Sequence, residues 1–214
     1  MARPSLRCWL SAFSIIHPMN FANRIAAILC CALAYLSPAH AASVVPLYLD
    51  EMIDTSAVAF EATCTGNRAE RDAETNLVVT YTTFEVREVL KGFAPTTHVI
   101  KQIGGALPEE SVQYRVDGIP TFIPGEDYVV FLAGVSSAGF SSPIGLAQGK
   151  FSVKDANGRR HAGNGRDFKD MAARILARMP ASARTRLEQV PGPVRDMDLD
   201  DFKQTVRNHV EASR

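Results

Sequence analysis

The chain is predicted to be mainly β: a small closed β-barrel of five or six strands followed by a helical C-terminal appendage. Three observations carry this reading. Residues 77–90 form a long run of β-branched and aromatic side chains, including Val78, Val79, Tyr81, Phe84, Val86 and Val89, which suit a pleated, half-buried surface. Further strand-like runs follow at short spacing with turn signals between them, the pattern of a barrel or sandwich and not of a parallel sheet. After Asp167 the apolar period changes from two to about 3.6.

Taken in order, Leu49, Met52 and Ile53 within 46–56 lie at helical spacing and predict a short helix packed on the body. Residues 57–64 alternate Val58, Phe60 and Ala62 against their neighbours, which predicts a strand. The charged stretch 66–76 reads as a surface loop. In the strongest strand, 77–90, the period breaks near Glu88, where Val86 and Val89 are three apart. A bulge there would turn the strand so that it serves two faces. Lys91-Gly92 ends it. Residues 97–103 alternate and stop at Gly104-Gly105; 111–116 form a weaker strand, and 118–125, with two prolines, a connection. Residues 127–132, DYVVFL, read as a buried strand, and 150–153 lead into Asn157-Gly158, a type I′ hairpin signal. Residues 167–179 place Phe168, Met171, Ile175 and Leu176 at helical spacing, stopped by Pro180. Asp198 is placed to cap a last helix with Leu199, Phe202, Val206 and Val210 on one face. No period of 20–50 residues repeats, which excludes solenoids and propellers.

Ahead of these elements stands an export signal. Arg24 precedes the apolar run 25–36, and Pro38-Ala39-His40-Ala41 supplies small residues for cleavage after Ala41. Twelve apolar residues rise ~18 Å as a helix, too short for a ~30 Å hydrocarbon core, so removal is expected and no stable membrane anchor. Met19 offers a second start, and residues 1–18 read as an over-extended start, a long leader being the alternative. The organisation is thus a 1–41 signal peptide, a 42–165 barrel and a 166–214 appendage, in a periplasmic or secreted protein.

Arg3, Arg7 and Arg24 leave with the leader. The mature part keeps 20 of the 23 Lys+Arg against 23 Asp+Glu, a net charge near −3. There is no basic stripe for nucleic acid. Cys8, Cys30 and Cys31 also lie in the leader, so the mature chain carries Cys64 alone and no internal disulfide. Cys64 is expected as a small buried hydrophobe; a reactive thiol or an interchain bridge is the alternative.

Two segments resemble the netrin-like family, the OB-type barrel of tissue inhibitors of metalloproteinases and related bacterial secreted domains. Phe84-Glu85-Val86-Arg87-Glu88-Val89-Leu90-Lys91-Gly92 is similar to that family's long strand with its Lys-Gly turn. Gly125-Glu126-Asp127-Tyr128-Val129-Val130-Phe131-Leu132 is similar to its Gly-x-x-Tyr-apolar strand. The resemblance covers residues 58–132 and implies a small closed OB-like β-barrel. The family's inhibitors grip the catalytic zinc with an N-terminal cysteine. The mature start here, Ala42-Ser43-Val44, has none, so that chemistry does not carry over.

Catalytic and metal patterns are weak. Gly134-Val135-Ser136-Ser137-Ala138-Gly139 approaches a hydrolase nucleophile elbow, but Ala138 replaces the second glycine and no helix can start at 139–143. Asp196, Asp198, Asp200 and Asp201 resemble the start of a calcium loop, but Asp201 and Arg207 stand where Gly and Glu are required. His98, His161 and His209 match no zinc spacing. No metal and no cofactor are expected. The segment 133–149 is the outlier: it has no charged residue before Lys150 yet carries Val135, Phe140, Ile144 and Leu146. These four are the candidate partner-binding residues; the competing reading is that they fold back to plug one end of the barrel. The expectation is a non-enzymatic, exported, monomeric module that binds a protein partner, a secreted protease being the first partner class to examine. A small exported serine hydrolase and a structural envelope component are the rivals.

Overall fold

The computed structural model describes residues 44–214, which form one compact unit. The leader and its cleavage site lie outside the described residues. Helix α1 (Leu49–Thr55) enters the sheet strands β1 (Val58–Arg71), β2 (Val78–Lys91) and β3 (Thr97–Ile103). A small hairpin, β4 (Gly105–Leu107) and β5 (Val112–Tyr114), follows, and then β6 (Asp127–Leu132), β7 (Lys150–Ala156) and β8 (Arg159–Gly163). The chain ends with α2 (Phe168–Met171), a 3-10 segment Ala173–Arg178, α3 (Ala181–Gln189), the short β9 (Met197–Asp198) and α4 (Leu199–Ala212). The main sheet is antiparallel and seven-stranded, in the order β3-β2-β1-β6-β7-β8-β9, and β4-β5 form a separate ladder. The main ladder is open, with β3 and β9 as its edges.

β1 and β6 stand between two cores, and their alternation divides them. Phe60, Ala62 and Cys64 of β1, with Tyr128, Val130 and Leu132 of β6, join Phe84, Ile100 and Phe122 on one side. Ala59, Val129 and Phe131 point the other way, into a core completed by Phe151, Phe168, Phe202, Val206 and the helices. This is why DYVVFL reads as one continuous apolar run: both of its faces are buried. The Phe202 ring lies 4.7 Å from Phe151 and 5.7 Å from Phe168, so the expected appendage packs into the sheet's own core. Each such ring contributes about 2–3 kcal/mol by leaving water.

The bulge expected near Glu88 is present. Ala62 pairs with Val86 and Glu61 with Glu88, so Arg87 is the extra residue; Leu90 is skipped in the same way. Lys91-Gly92 also acquires a cause. The Lys91 ammonium donates to the carbonyls of Asp54 (2.9 Å) and Ser56 (2.7 Å) at the end of α1. Gly92 has φ +73°, and a Cβ there would lie 2.3 Å from the Ala57 carbonyl oxygen. Asn157 (φ +58°) and Gly158 (φ +74°) make the left-handed turn between β7 and β8.

Three expectations are corrected. The charged stretch 66–76 is a loop only from Asp72 on: β1 runs to Arg71, paired with β2, and a turn over 72–77 follows. The single helix expected over 167–179 is α2 and a 3-10 segment, broken where Ile175 leaves helical geometry at φ −122°. Helix α3 went unexpected because only Ala183 and Leu187 of its nine residues are buried, too narrow an apolar stripe to show. In α4 the expectation holds: Asp198 accepts from the Asp200 and Asp201 amides, and Leu199, Phe202 and Val206 are buried.

Candidate functional site

The uncharged segment after β6 is an ordered hairpin. The Ala133 amide donates to Ser142 (3.0 Å) and the Ser136 amide to Phe140 (2.8 Å); Leu132 and Pro143 bridge at its base. Its far arm reaches the free edge of β3, where the Ser141 amide donates to the Lys101 carbonyl (3.0 Å). Lys101 then holds the hairpin from below. Its ammonium donates to the Ala138 carbonyl (3.0 Å), sits 4.7 Å from the centre of the Phe140 ring and pairs with Asp72 at 2.6 Å. Hydrogen bonds from Lys101, then from Thr75, hold the Asp72 carboxyl well below the usual carboxylate range, and the bond to Asp72 raises Lys101. Both groups are buried by packing.

The four candidate residues separate. Val135 stands on the near arm, just before the 136–140 turn, 70 % exposed. Phe140, half-buried, is the platform for Lys101. Ile144 packs against the helix-side core, and Leu146 lies against Gly118. The hairpin therefore carries Val135 and Phe140 on its two arms, whereas Ile144 and Leu146 serve packing. A residue outside that set is more exposed than Val135. Gly92 and Gly134 both approach Ala57, so the β2–β3 turn adjoins the hairpin, and Phe93 in that turn is 84 % exposed. An aromatic directly after the Lys-Gly turn was the available signal.

No family model matches the chain, and no curated protein matches it. The reading of this site therefore rests on its geometry.

The other candidates have structural employment. The Ser136 hydroxyl accepts from the Phe140 amide (3.0 Å) and shapes its own turn. Cys64 is fully buried, and burial pushes its thiol up. His98 packs against the Phe60 ring at 5.1 Å, and burial lowers it below its ordinary value. The four acids near α4 part company: Asp196 pairs with Arg186 (2.7 Å), Asp198 caps the helix, Asp200 neighbours Lys203 (3.3 Å) and Asp201 accepts from Ser182 (2.7 Å). Among the described residues, no three His, Cys, Asp or Glu side chains gather as a metal site. No described helix is long and apolar enough to cross a membrane.

A buried charge network fixes α4 to the sheet. Glu61, 2 % exposed in β1, meets Lys203 of α4 at 2.8 Å and Arg160 of β8 at 2.7 Å. Arg160 and Arg87 share Asp127 at 3.0 and 2.7 Å, and Arg207 pairs with Glu88. Burial alone would raise the Glu61 carboxyl; hydrogen bonds from Lys203 and Arg160 outweigh it and hold it low.

Proposed function

We propose that this chain is an exported, non-enzymatic β-module that binds a protein partner with the end of the sheet carrying Val135 and Phe93. The observation that carries the reading is a contrast on one hairpin. A buried ion pair and a cation–π contact order it, yet it leaves Val135 in water, and Phe93 stands exposed in the turn that adjoins its base. Ordering a loop costs about 1–2 kcal/mol per residue, and exposed apolar groups on a rigid frame suit recognition. A secreted protease is the partner class that the netrin-like resemblance favours. The OB-like barrel of that resemblance is supported by the Ser141–Lys101 hydrogen bond, which joins the hairpin to the free edge of β3 and draws the wall β3-β2-β1-β6 toward closure.

The test uses the full chain as bait against exported proteins, secreted proteases first, beside the Phe93→Asp/Val135→Asp double variant. Loss of the partner with an unchanged Tm is expected. Equal capture by both chains would refute the assignment of this end. Export is checked by N-terminal sequencing of secreted material, expected to begin at Ala42.

A further inference from the structure

The face of β1, β2 and β3 that carries the first core changes character partway along the strands. At one end it holds Cys64, Phe84 and Ile100, closed by Phe122, whose ring meets Phe84 edge-on at 4.9 Å. Beyond Ile100 the same face presents Asn67, Thr80, Thr82 and Gln102, aligned by the pairings Asn67 with Thr82 and Thr80 with Gln102. Asn67 is exposed and Thr80 half-buried, whereas the two central side chains are closed off from bulk water. Thr82 is 1 % exposed and Gln102 3 %. The β4–β5 hairpin folds back over them, because Gly104 (φ +96°) and Gly105 (φ +150°) reverse the chain where a Cβ on Gly105 would lie 2.6 Å from the Thr80 hydroxyl. A cavity of about 220 Å³ remains between this floor, the hairpin and the segment 115–122.

Its hydrogen bonds are left unfinished in a specific way. The Gln102 side-chain nitrogen is buried with no partner among the described residues, and a buried unpaired donor costs about 1–3 kcal/mol. The Thr82 hydroxyl donates to Asn67 Oδ1 (2.7 Å) and the Thr80 hydroxyl to the Gly104 carbonyl (2.7 Å). Both hydroxyl oxygens therefore keep lone pairs free to accept. A complementary ligand must accept from Gln102 and donate to Thr80 or Thr82. A hydroxyl does both, whereas a carboxylate only accepts and an ammonium only donates. The floor is uncharged, and Arg115, exposed, is the one charged lining residue, so an ionic group seated on the buried floor would meet no counter-charge there. Ile119 and Phe122 supply an apolar wall. The volume equals roughly seven waters at liquid density, a space matched to one small ring.

We infer that this cavity is a binding site for a neutral hydroxylated ligand, the class of a single sugar ring, with Gln102 as the buried donor that reads it. The site shares no residue with the end carrying Val135 and Phe93, so its fate is independent of the protein-binding proposal.

The test is a titration of the isotopically labelled full chain with D-glucose, followed by NMR, with sodium acetate and methylammonium chloride as charged comparators. Saturable shifts of the Gln102 side-chain amide and of the Gly104 and Gly105 backbone amides are expected with glucose and not with the two salts. Gln102→Met should keep the fold and bind about tenfold more weakly, the loss of one hydrogen bond. Should that variant fail to fold, an intermolecular NOE from glucose protons to the Phe122 ring in the wild-type chain supports the site, and its absence overturns it. No saturable shift with glucose means that the cavity holds water alone and overturns the proposal. Equal shifts with acetate overturn the neutral class, and undiminished binding by Gln102→Met overturns the role of Gln102.

Discussion

Burying Glu61 removes a carboxylate from water, and only the cations of β8 and α4 make that tolerable. Glu61→Gln should therefore cost about 3 kcal/mol, since it leaves Lys203 and Arg160 without their buried partner; chemical denaturation measures it. Phe84→Ala, in the other core, should cost about 3–4 kcal/mol through the cavity it opens. Cys64→Ala should cost about 1 kcal/mol, because the thiol is packing and no bridge is lost. Acid acts through two of these groups in the same direction but in different windows. His98 has a folded pKa below its ordinary 6.5, so the unfolded chain takes up a proton first and stability falls as pH drops below about 6.5. Glu61 has a depressed folded pKa; its contribution is complete above about pH 4.5 and is lost as pH falls through the folded value. A Tm profile of His98→Gln should be flatter just below neutrality and unchanged on the more acidic side. A profile identical to the wild type throughout would remove His98 from this account.

At the scale of elements, the turn after β2 and the last helix carry the clearest consequences. Gly92→Ala forces a side chain into a left-handed φ and against the Ala57 carbonyl, and should cost about 3 kcal/mol. Phe202→Ala in α4 should cost about 4 kcal/mol, and deletion of 197–214 should abolish soluble folded protein, because Phe202 and Val206 complete the sheet's second core. A truncated chain with an unchanged Tm would contradict that packing. These elements were legible in the sequence because local chemistry specified them: β-branched runs, the Asn157-Gly158 turn and the Asp198 cap each carry their own signal. The extension of β1 through Arg71 was not legible, since its polar side chains look the same on an exposed strand as in a loop. Nor was the break near Ile175, where tertiary packing overrode an unbroken helical period. Val135 was legible as an uncharged residue in an uncharged loop. Phe93 carried a local signal, an aromatic directly after Lys91-Gly92, whereas the Gln102 cavity did not, since its floor arises from three strands that meet only in the folded sheet.

The whole molecule is organised around two strands that belong to both cores. Residues 44–214 form one unit in which β1 and β6 give side chains to both cores. The Phe93→Asp/Val135→Asp variant should leave global stability unchanged, since neither side chain enters a core; a fall in Tm of several degrees would show that these positions are structural. The doubly buried strands also predict how the protein exchanges its amide protons with heavy water. The ladder amides shared by β1 and β6 should be released only by global unfolding, all with one opening free energy. Those of β4–β5 and of the 133–143 hairpin, held by short ladders and a few side chains, should be released through small local openings, orders of magnitude sooner. The sugar-ring cavity lies under one of those opening segments, so a ligand would enter it by a fluctuation that leaves the two shared strands shut.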